Sequence, residues 1–558
     1  MFTDKKHVSR RRFLAQSGLG LFAFAAWPQF LQAMDHGSAM SARLANPNFK
    51  ADVDIELSCK PASVAILLGS KTQVLQYTAR LLQGPQDTLT EIPGSYLGPV
   101  MRFKKGQKVR IQLVNGLNET TVAHWHGLHV PADQDGHPLY AIGPGEKLVY
   151  EFEVLNRAGM NIYHPHPHEA TARQVYHGLA GAIIVNDDEE SALGLPSGAY
   201  EIPLVIQDRL FDADNQLVYA RNMHDRMMGF YGDRMLVNGR ADFQLDVDSR
   251  AYRLRFLNGS NARIYKLAWD DGTPMTVIGV DGGLLEKPET KPYVMLAPGE
   301  RLDVWMDFSG RAEGSQMQLR SLPFSGALPH MGMMMQRGGL PMGGDYPIFS
   351  VKVTRKVSDS PKLPSTLSQF KRYALTEAAN LNKPVPIAIS EKHMAMLLNG
   401  RPHAYNDVQD FERIPVNTIQ VLDIFHAHGG GHQQPTDTTG QGTEPSGGMG
   451  MRHGGMGMGG MRHGGMGGMG MMAMAHPIHL HGQQFQILSR SVPNGGQGDY
   501  ATVRDGFIDS GLKDTVLVMP GESIRIIKPF QDFTGLFMYH CHNLEHEDMG
   551  MMRDFLVV

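Results

Sequence analysis

Two cysteines in 558 residues, Cys59 and Cys541, exclude an architecture stapled by several disulfides. Past residue 42 no apolar run is long enough to cross a bilayer as a helix. Charge of one sign is also missing. The net charge is −4 with 19% charged residues of both signs and no basic stripe, which argues against a nucleic-acid partner. Sustained 3.6-residue periodicity is absent too, which excludes a helical bundle.

What is present reads as β-structure. Runs at 108–114, 148–154, 252–257, 301–308 and 516–527 alternate or are rich in β-branched and aromatic residues. Asn-Gly pairs at Asn115, Asn238, Asn258 and Asn399 mark turns. Pro-Gly-Glu recurs at Pro144, Pro298 and Pro520, each time ahead of an alternating segment, and VNGLN at Val114 echoes LNGSN at Leu257. Such repetition predicts three related β-sandwich domains, at 43–195, 196–358 and 359–558. The third carries an insertion at 429–474 whose MRHGGMG repeats hold too few bulky side chains to form a core.

The N-terminus is a targeting segment. Ser9-Arg10-Arg11-Arg12-Phe13-Leu14 matches a twin-arginine signal and precedes an apolar run closed by Pro28, so 1–42 is read as a signal peptide with a short tail. This predicts export to the periplasm by the twin-arginine machinery.

Four His-x-His pairs stand out: His124/His126, His164/His166, His479/His481 and His540/His542. On a strand, residues i and i+2 share a face, so each pair presents two imidazoles together. Eight imidazoles suffice for a cluster of three copper ions. Cys541, lying between His540 and His542, faces the other way. With His476, His546 and a methionine it supplies the ligand set of a blue-copper site. Met551 is the favoured axial ligand by strand geometry and equal spacing, with Met549 and Met552 as competitors. Cys59 is left unpaired and is expected to be buried.

HWHG at His124, YHPH at Tyr163, HPIHLHG at His476 and HCHNLEHEDMGMM at His540 resemble, in order, the four copper motifs of the multicopper oxidases. The first and last are most similar to those of bacterial copper-efflux oxidases and laccases. The resemblance implies an all-β fold of three cupredoxin-like Greek-key sandwiches and four copper ions. It implies that His124 and His479 hold a type 2 copper, while His126, His164, His166, His481, His540 and His542 hold a type 3 pair. It further implies that electrons from a reductant travel through Cys541 and its neighbouring histidines to the cluster, where four of them reduce O2 to water. Asp135 occupies the position of an acid the family keeps near the type 2 copper, and Glu547 is a second candidate for proton transfer. His168 is an extra histidine, and His129 stands where close relatives carry an acid.

The methionines predict the reductant. Thioether sulfur prefers Cu(I), and the insertion ends two residues before His476, so Met472 and Met474 are candidate contacts for a substrate cuprous ion, with 331–335 as a further methionine-rich stretch. No acid occurs in the stretch MMAMA just ahead of His476, which predicts a binding mode dominated by thioethers. Three functions follow: a cuprous oxidase that also oxidises phenols, a laccase acting mainly on phenols, or a non-enzymatic copper buffer or structural protein. The last is disfavoured because each expected ligand position is filled. The protein is expected to act as a monomer.

Overall fold

The computed structural model describes residues 44–329, 340–392, 395–427, 473–492 and 496–558. The signal peptide, the 331–335 stretch, Met472 and nearly all of the predicted insertion lie outside these residues.

Within Leu44–Val558 the strands form six sheets. They fall into three successive pairs, each joined by its own apolar cluster. In the first pair, Ile55, Ile111 and Phe152 of one sheet meet Phe103, Trp125 and Ile183 of the other. In the second, Leu254, Phe256 and Val304 meet Leu267, Leu319 and Val351. The third joins Ile387, Leu422 and Ile526 to Ile478, Val516 and Tyr539. Such face-to-face sheets with alternating inward side chains are β-sandwiches. No helix among the described residues is longer than six residues.

Period-2 patterning drives these strands. In Lys108–Asn115 the buried residues are Val109, Ile111, Leu113 and Asn115, every second position. The segment at 516–527 is not one strand. It divides into Thr515–Val518 and Ser523–Phe530, because the Pro-Gly pair at 520–521 imposes a turn.

All three Pro-Gly-Glu copies make the same turn. Their glycines have φ of 78°, 81° and 74°, at Gly145, Gly299 and Gly521. In each, the glutamate carboxylate accepts from the backbone N–H three residues earlier: Glu146 from Gly143, Glu300 from Ala297 and Glu522 from Met519, at 2.6, 2.7 and 2.8 Å. The Asn-Gly pairs divide into two kinds. Asn238-Gly239 and Asn399-Gly400 have positive φ at both residues, the signature of tight hairpins. Asn115 and Asn258 instead brace loops through their side-chain amides, to Glu119 and Ile142 carbonyls in one case and Arg263 and Leu296 carbonyls in the other.

The third sandwich positions the Cys541 region. His476–Leu480 pairs antiparallel with Gly535–Cys541, which pairs on its other edge with Met552–Val557. Both cysteines are free and fully buried. The Cys59 thiol is pushed up to about 11 by burial and donates to the Val114 carbonyl, 3.5 Å away. Cys59 is a core residue, not a reactive one.

Candidate metal centre

Strand parity builds the site. In His124-Trp125-His126 the tryptophan turns into the first sandwich, edge-on to Tyr150, while the histidines turn out. Leu480 does the same between His479 and His481. Ladder partners then bring the pairs together: His124 lies opposite His164, and His479 opposite His540. The eight histidines from the first and last sandwiches meet in one dry cluster, each with 5% exposure or less.

Their nitrogens converge in groups. His126, His164 and His542 form one set, His166, His481 and His540 a second, and His124 and His479 approach the first set from the side. His126 Nδ1 lies 3.2 Å from His542 Nε2, and His540 Nε2 lies 3.2 Å from His481 Nε2 and 3.4 Å from His166 Nε2. His124 Nε2, His164 Nε2 and His479 Nε2 are buried without a hydrogen-bond partner. Orphaned buried nitrogens of this kind require a partner, and a metal ion bound by imidazole provides one. Burial and crowding by other imidazoles hold His126, His164, His166, His481 and His542 well below the ordinary histidine range, and His479 at about 3. They are therefore neutral, the ligating form.

The opposite ring nitrogens are fixed by carboxylates and carbonyls. His481 Nδ1 donates to Asp135 Oδ2 at 2.7 Å, and His124 Nδ1 donates to the Asp135 carbonyl at 2.6 Å. Gly136, directly after Asp135, has φ of 82°, and a Cβ there would lie 2.1 Å from the Ala123 carbonyl oxygen. That close approach holds Asp135 against the histidine strand. Burial raises the Asp135 pKa, opposed by His124. His540 Nδ1 is held by the Cys541 carbonyl at 3.1 Å; Glu547 stands beside the second set, with Oε2 3.1 Å from His540 Nδ1 and Oε1 3.6 Å from His166 Nε2, a nitrogen of the converging set.

A third carboxylate escaped the sequence reading. Asp514 Oδ1 lies 3.0 Å from His126 Nε2, and its backbone carbonyl accepts from His479 Nδ1 at 2.9 Å. Asp514 is itself gripped by Arg301 of the second sandwich, through Nη1 at 2.7 Å and Nη2 at 2.5 Å, all of it dry. The middle sandwich thus braces a cluster to which it contributes no histidine. Breaking a buried ion pair strands a charge, so Arg301→Met is expected to destabilise the protein by about 3–5 kcal/mol. Chemical denaturation read by tryptophan fluorescence measures this.

Cys541 sits on the other face. Its Sγ is 3.4 Å from His476 Nδ1 and 3.7 Å from His546 Nδ1. Register bears on the competing methionines: His540 lies opposite Met552, so Met552 shares the face of His540 and points away from Cys541. The Cys541 N–H donates to the Met551 carbonyl at 3.1 Å, and the Met551 side chain is fully buried. Met549 is only partly buried, at the end of the short helix Leu544–Asp548. His546 Nε2 donates to the Met227 carbonyl at 3.0 Å, which points Nδ1 at the sulfur.

The MMAMA stretch holds no acid, but a distant segment supplies one beside His476. Glu391, far away in the chain, accepts from His476 Nε2 and from the Met474 N–H, each at 3.0 Å. Its carboxyl is held down at about 2: the histidine and backbone partners outweigh burial, which alone would raise it. Alternation made this legible. Glu391 shares the inward face of Val385, Ile387 and Ile389, where an acid is out of place unless it has partners. Met474 is buried beside it, with His426 Nδ1 at 3.8 Å from the carboxylate. The acid absent at His129 is also supplied from elsewhere, by Asp532, 3.0 Å from His129 Nε2.

Two buried centres, one of cysteine, imidazole and thioether and one of eight imidazoles, are joined by consecutive residues of one strand end. Comparisons with known proteins agree. Residues 73–190 and 466–558 match two family models, both described as multicopper oxidase. The chain is similar to the multicopper oxidase mco of Staphylococcus haemolyticus, 30% identical, covering 82% of this chain and 81% of that protein. It is also similar to the laccase of Bacillus subtilis, 28% identical, covering 84% and 90%. Among solved structures, the McoA multicopper oxidase of Aquifex aeolicus superposes with a TM-score of 0.70 at 31% identity, covering 91% of this chain and 97% of that one.

Proposed function

The chain belongs to the multicopper oxidase family, a copper-dependent oxidoreductase of cupredoxin-like fold, and on that premise we propose that its reductant is cuprous ion. In this reading His476, Cys541, His546 and Met551 hold the type 1 copper, and His124 and His479 the type 2 copper. His126, His164 and His542, with His166, His481 and His540, hold the type 3 pair. Bound copper supplies the one-electron redox chemistry by which four single-electron oxidations meet the four-electron reduction of O2 to water.

The protein's own groups do the rest. Cys541 anchors the electron-accepting centre, and its peptide neighbours His540 and His542 give the shortest covalent route to the eight-histidine cluster. Asp135 holds His481 in place, Glu547 lies beside His540, and both stand where protons for water formation would arrive. Asp514, kept ionised by Arg301, fixes the orientation of His126.

The observation that carries the choice of reductant is Glu391 with Met474, packed against His476. A buried anionic oxygen attracts a cation, and thioether sulfur favours Cu(I) over Cu(II). Met472 and the methionines of the insertion, outside the described residues, are the further candidate contacts for the cuprous ion. The similarity to proteins described as laccases supports phenol oxidation, as an additional activity in this reading or, in the second reading, as the main one. The proposal includes export through the twin-arginine signal to the periplasm, where the oxidase would detoxify copper as a monomer.

Oxygen uptake with chelated Cu(I) and with a phenol separates the two reductants. Deleting residues 447–471 is expected to lower kcat/KM for Cu(I) about tenfold, equivalent to about 1.4 kcal/mol of lost interaction, while phenol oxidation holds or rises. Equal losses on both substrates would refute a cuprous-ion role for the insertion.

A further inference from the structure

A second group of imidazoles lies outside the eight-histidine cluster. His137 follows Asp135 by two residues, His168 ends the His164–His168 run, and His403 belongs to the loop after Asn399-Gly400. His137 and His403 approach Asp554 of the strand Met552–Val557 from two sides. His137 Nε2 donates to Asp554 Oδ1 at 3.0 Å, while His403 Nε2 stands 3.6 Å from Asp554 Oδ2. The His168 and His403 rings have centroids 5.3 Å apart, and the Tyr405 ring flanks both, at 5.8 and 5.3 Å.

His403 is the anomaly. Its side chain is 1% exposed, yet neither ring nitrogen has a hydrogen-bond partner. Leaving a buried polar group unpaired costs about 1–3 kcal/mol, so such a group needs an explanation. His137 needs none, since its Nδ1 accepts from the Leu139 N–H while Nε2 holds Asp554.

Metal coordination accounts for the spacing. Two ligand atoms bound tetrahedrally at about 2.0–2.2 Å stand about 3.3–3.6 Å apart, the separation of His403 Nε2 and Asp554 Oδ2. The 5.3 Å between the His168 and His403 rings lies within the 5.0–5.4 Å range of the His166, His481 and His540 rings. We propose that His168, His403 and Asp554 form a further site for a divalent transition-metal ion, separate from the four copper positions.

Two imidazoles and a carboxylate suit zinc or cupric ion; the set lacks the oxygen ligands that calcium and magnesium need and the sulfur that cuprous ion prefers. Asp554 supplies the negative charge, held well below the usual carboxylate range by His137 and His403 against the effect of burial. Glu169 adds more, with Oε1 3.8 Å from His168 Nδ1. His168 is 31% exposed on its side chain and Tyr405 is 43% exposed, so an ion can enter from solvent. His137 is a positioning residue, orienting the carboxylate without reaching the ion.

Zinc is the probe, because it has no redox chemistry and thioethers hold it poorly. Copper-loaded full-length protein is dialysed against micromolar Zn2+ and its metal content measured, with the copper content and blue absorption as controls of folding. The wild type is expected to retain one more zinc ion per chain than His403→Gln, and His168→Gln, at a partly exposed position, is expected to weaken that zinc at least about tenfold. A zinc-edge anomalous peak about 2.0–2.1 Å from a His403 ring nitrogen would confirm the site directly. Equal zinc content in the wild type and both variants, or a water molecule between His403 and Asp554 in zinc-soaked crystals, would overturn it.

Discussion

Cys541→Ser is expected to abolish both the intense blue absorption and turnover, leaving oxygen uptake at the uncatalysed background. Serine oxygen is nearly the right size but chemically wrong. It is a hard ligand that stays protonated near neutral pH, whereas a thiolate is soft and covalent towards copper. The surroundings are built for sulfur: Sγ lies between His476 Nδ1 and His546 Nδ1 and accepts from the Asn543 N–H at 3.4 Å. The eight-histidine cluster keeps its own ligands in the variant, so electron paramagnetic resonance should retain the type 2 signal and lose only the type 1 signal. Survival of colour or turnover would remove Cys541 from the pathway.

Asp135→Ala carries the second largest effect. Its Oδ2 is the partner that orients His481, and partners of metal-binding imidazoles are typically worth about 10–100-fold in metal affinity or activity. Oxygen uptake at saturating reductant should fall by that factor while the blue band, set by the Cys541 centre, is unchanged. Asp135→Asn separates two roles. An amide oxygen can still accept from His481 Nδ1 but cannot deliver a proton. Recovery of copper content without recovery of turnover therefore marks Asp135 as a proton donor. Full turnover in both variants would assign it neither role.

The spacing of His-x-His pairs is a local property, set by strand alternation, and so the side chains that converge in the cluster could be read from the chain directly. Pro-Gly-Glu worked for the same reason: each copy closes on itself within four residues. What escaped depends on pairing between distant segments. Glu391 reaches His476 only because Val385–Lys392 and His476–Leu480 belong to facing sheets of one sandwich, though an acid on an otherwise apolar strand face was a signal available beforehand. Arg301 offered a subtler one. It follows the second Pro-Gly-Glu, where the other copies have Lys147 and Ser523, and its buried guanidinium reaches into the neighbouring sandwich to hold Asp514. Asp532, standing in for an acid at His129, gave no signal at all, since nothing near it in sequence points to His129. The ladder His540–Met552 turns Met552 to the face of His540, which no local pattern could specify.

The central claim is that two buried ligand sets, one around Cys541 and one of eight imidazoles, hold four copper ions in a single chain. Anomalous diffraction at the copper edge from crystals of the purified protein tests it most directly. The account predicts one peak among Cys541 Sγ, His476 Nδ1 and His546 Nδ1, one between His124 Nε2 and His479 Nε2, and one within each of the trios His126/His164/His542 and His166/His481/His540. A fully loaded protein with no peak among the eight histidines, or with its strong peaks elsewhere, would contradict it.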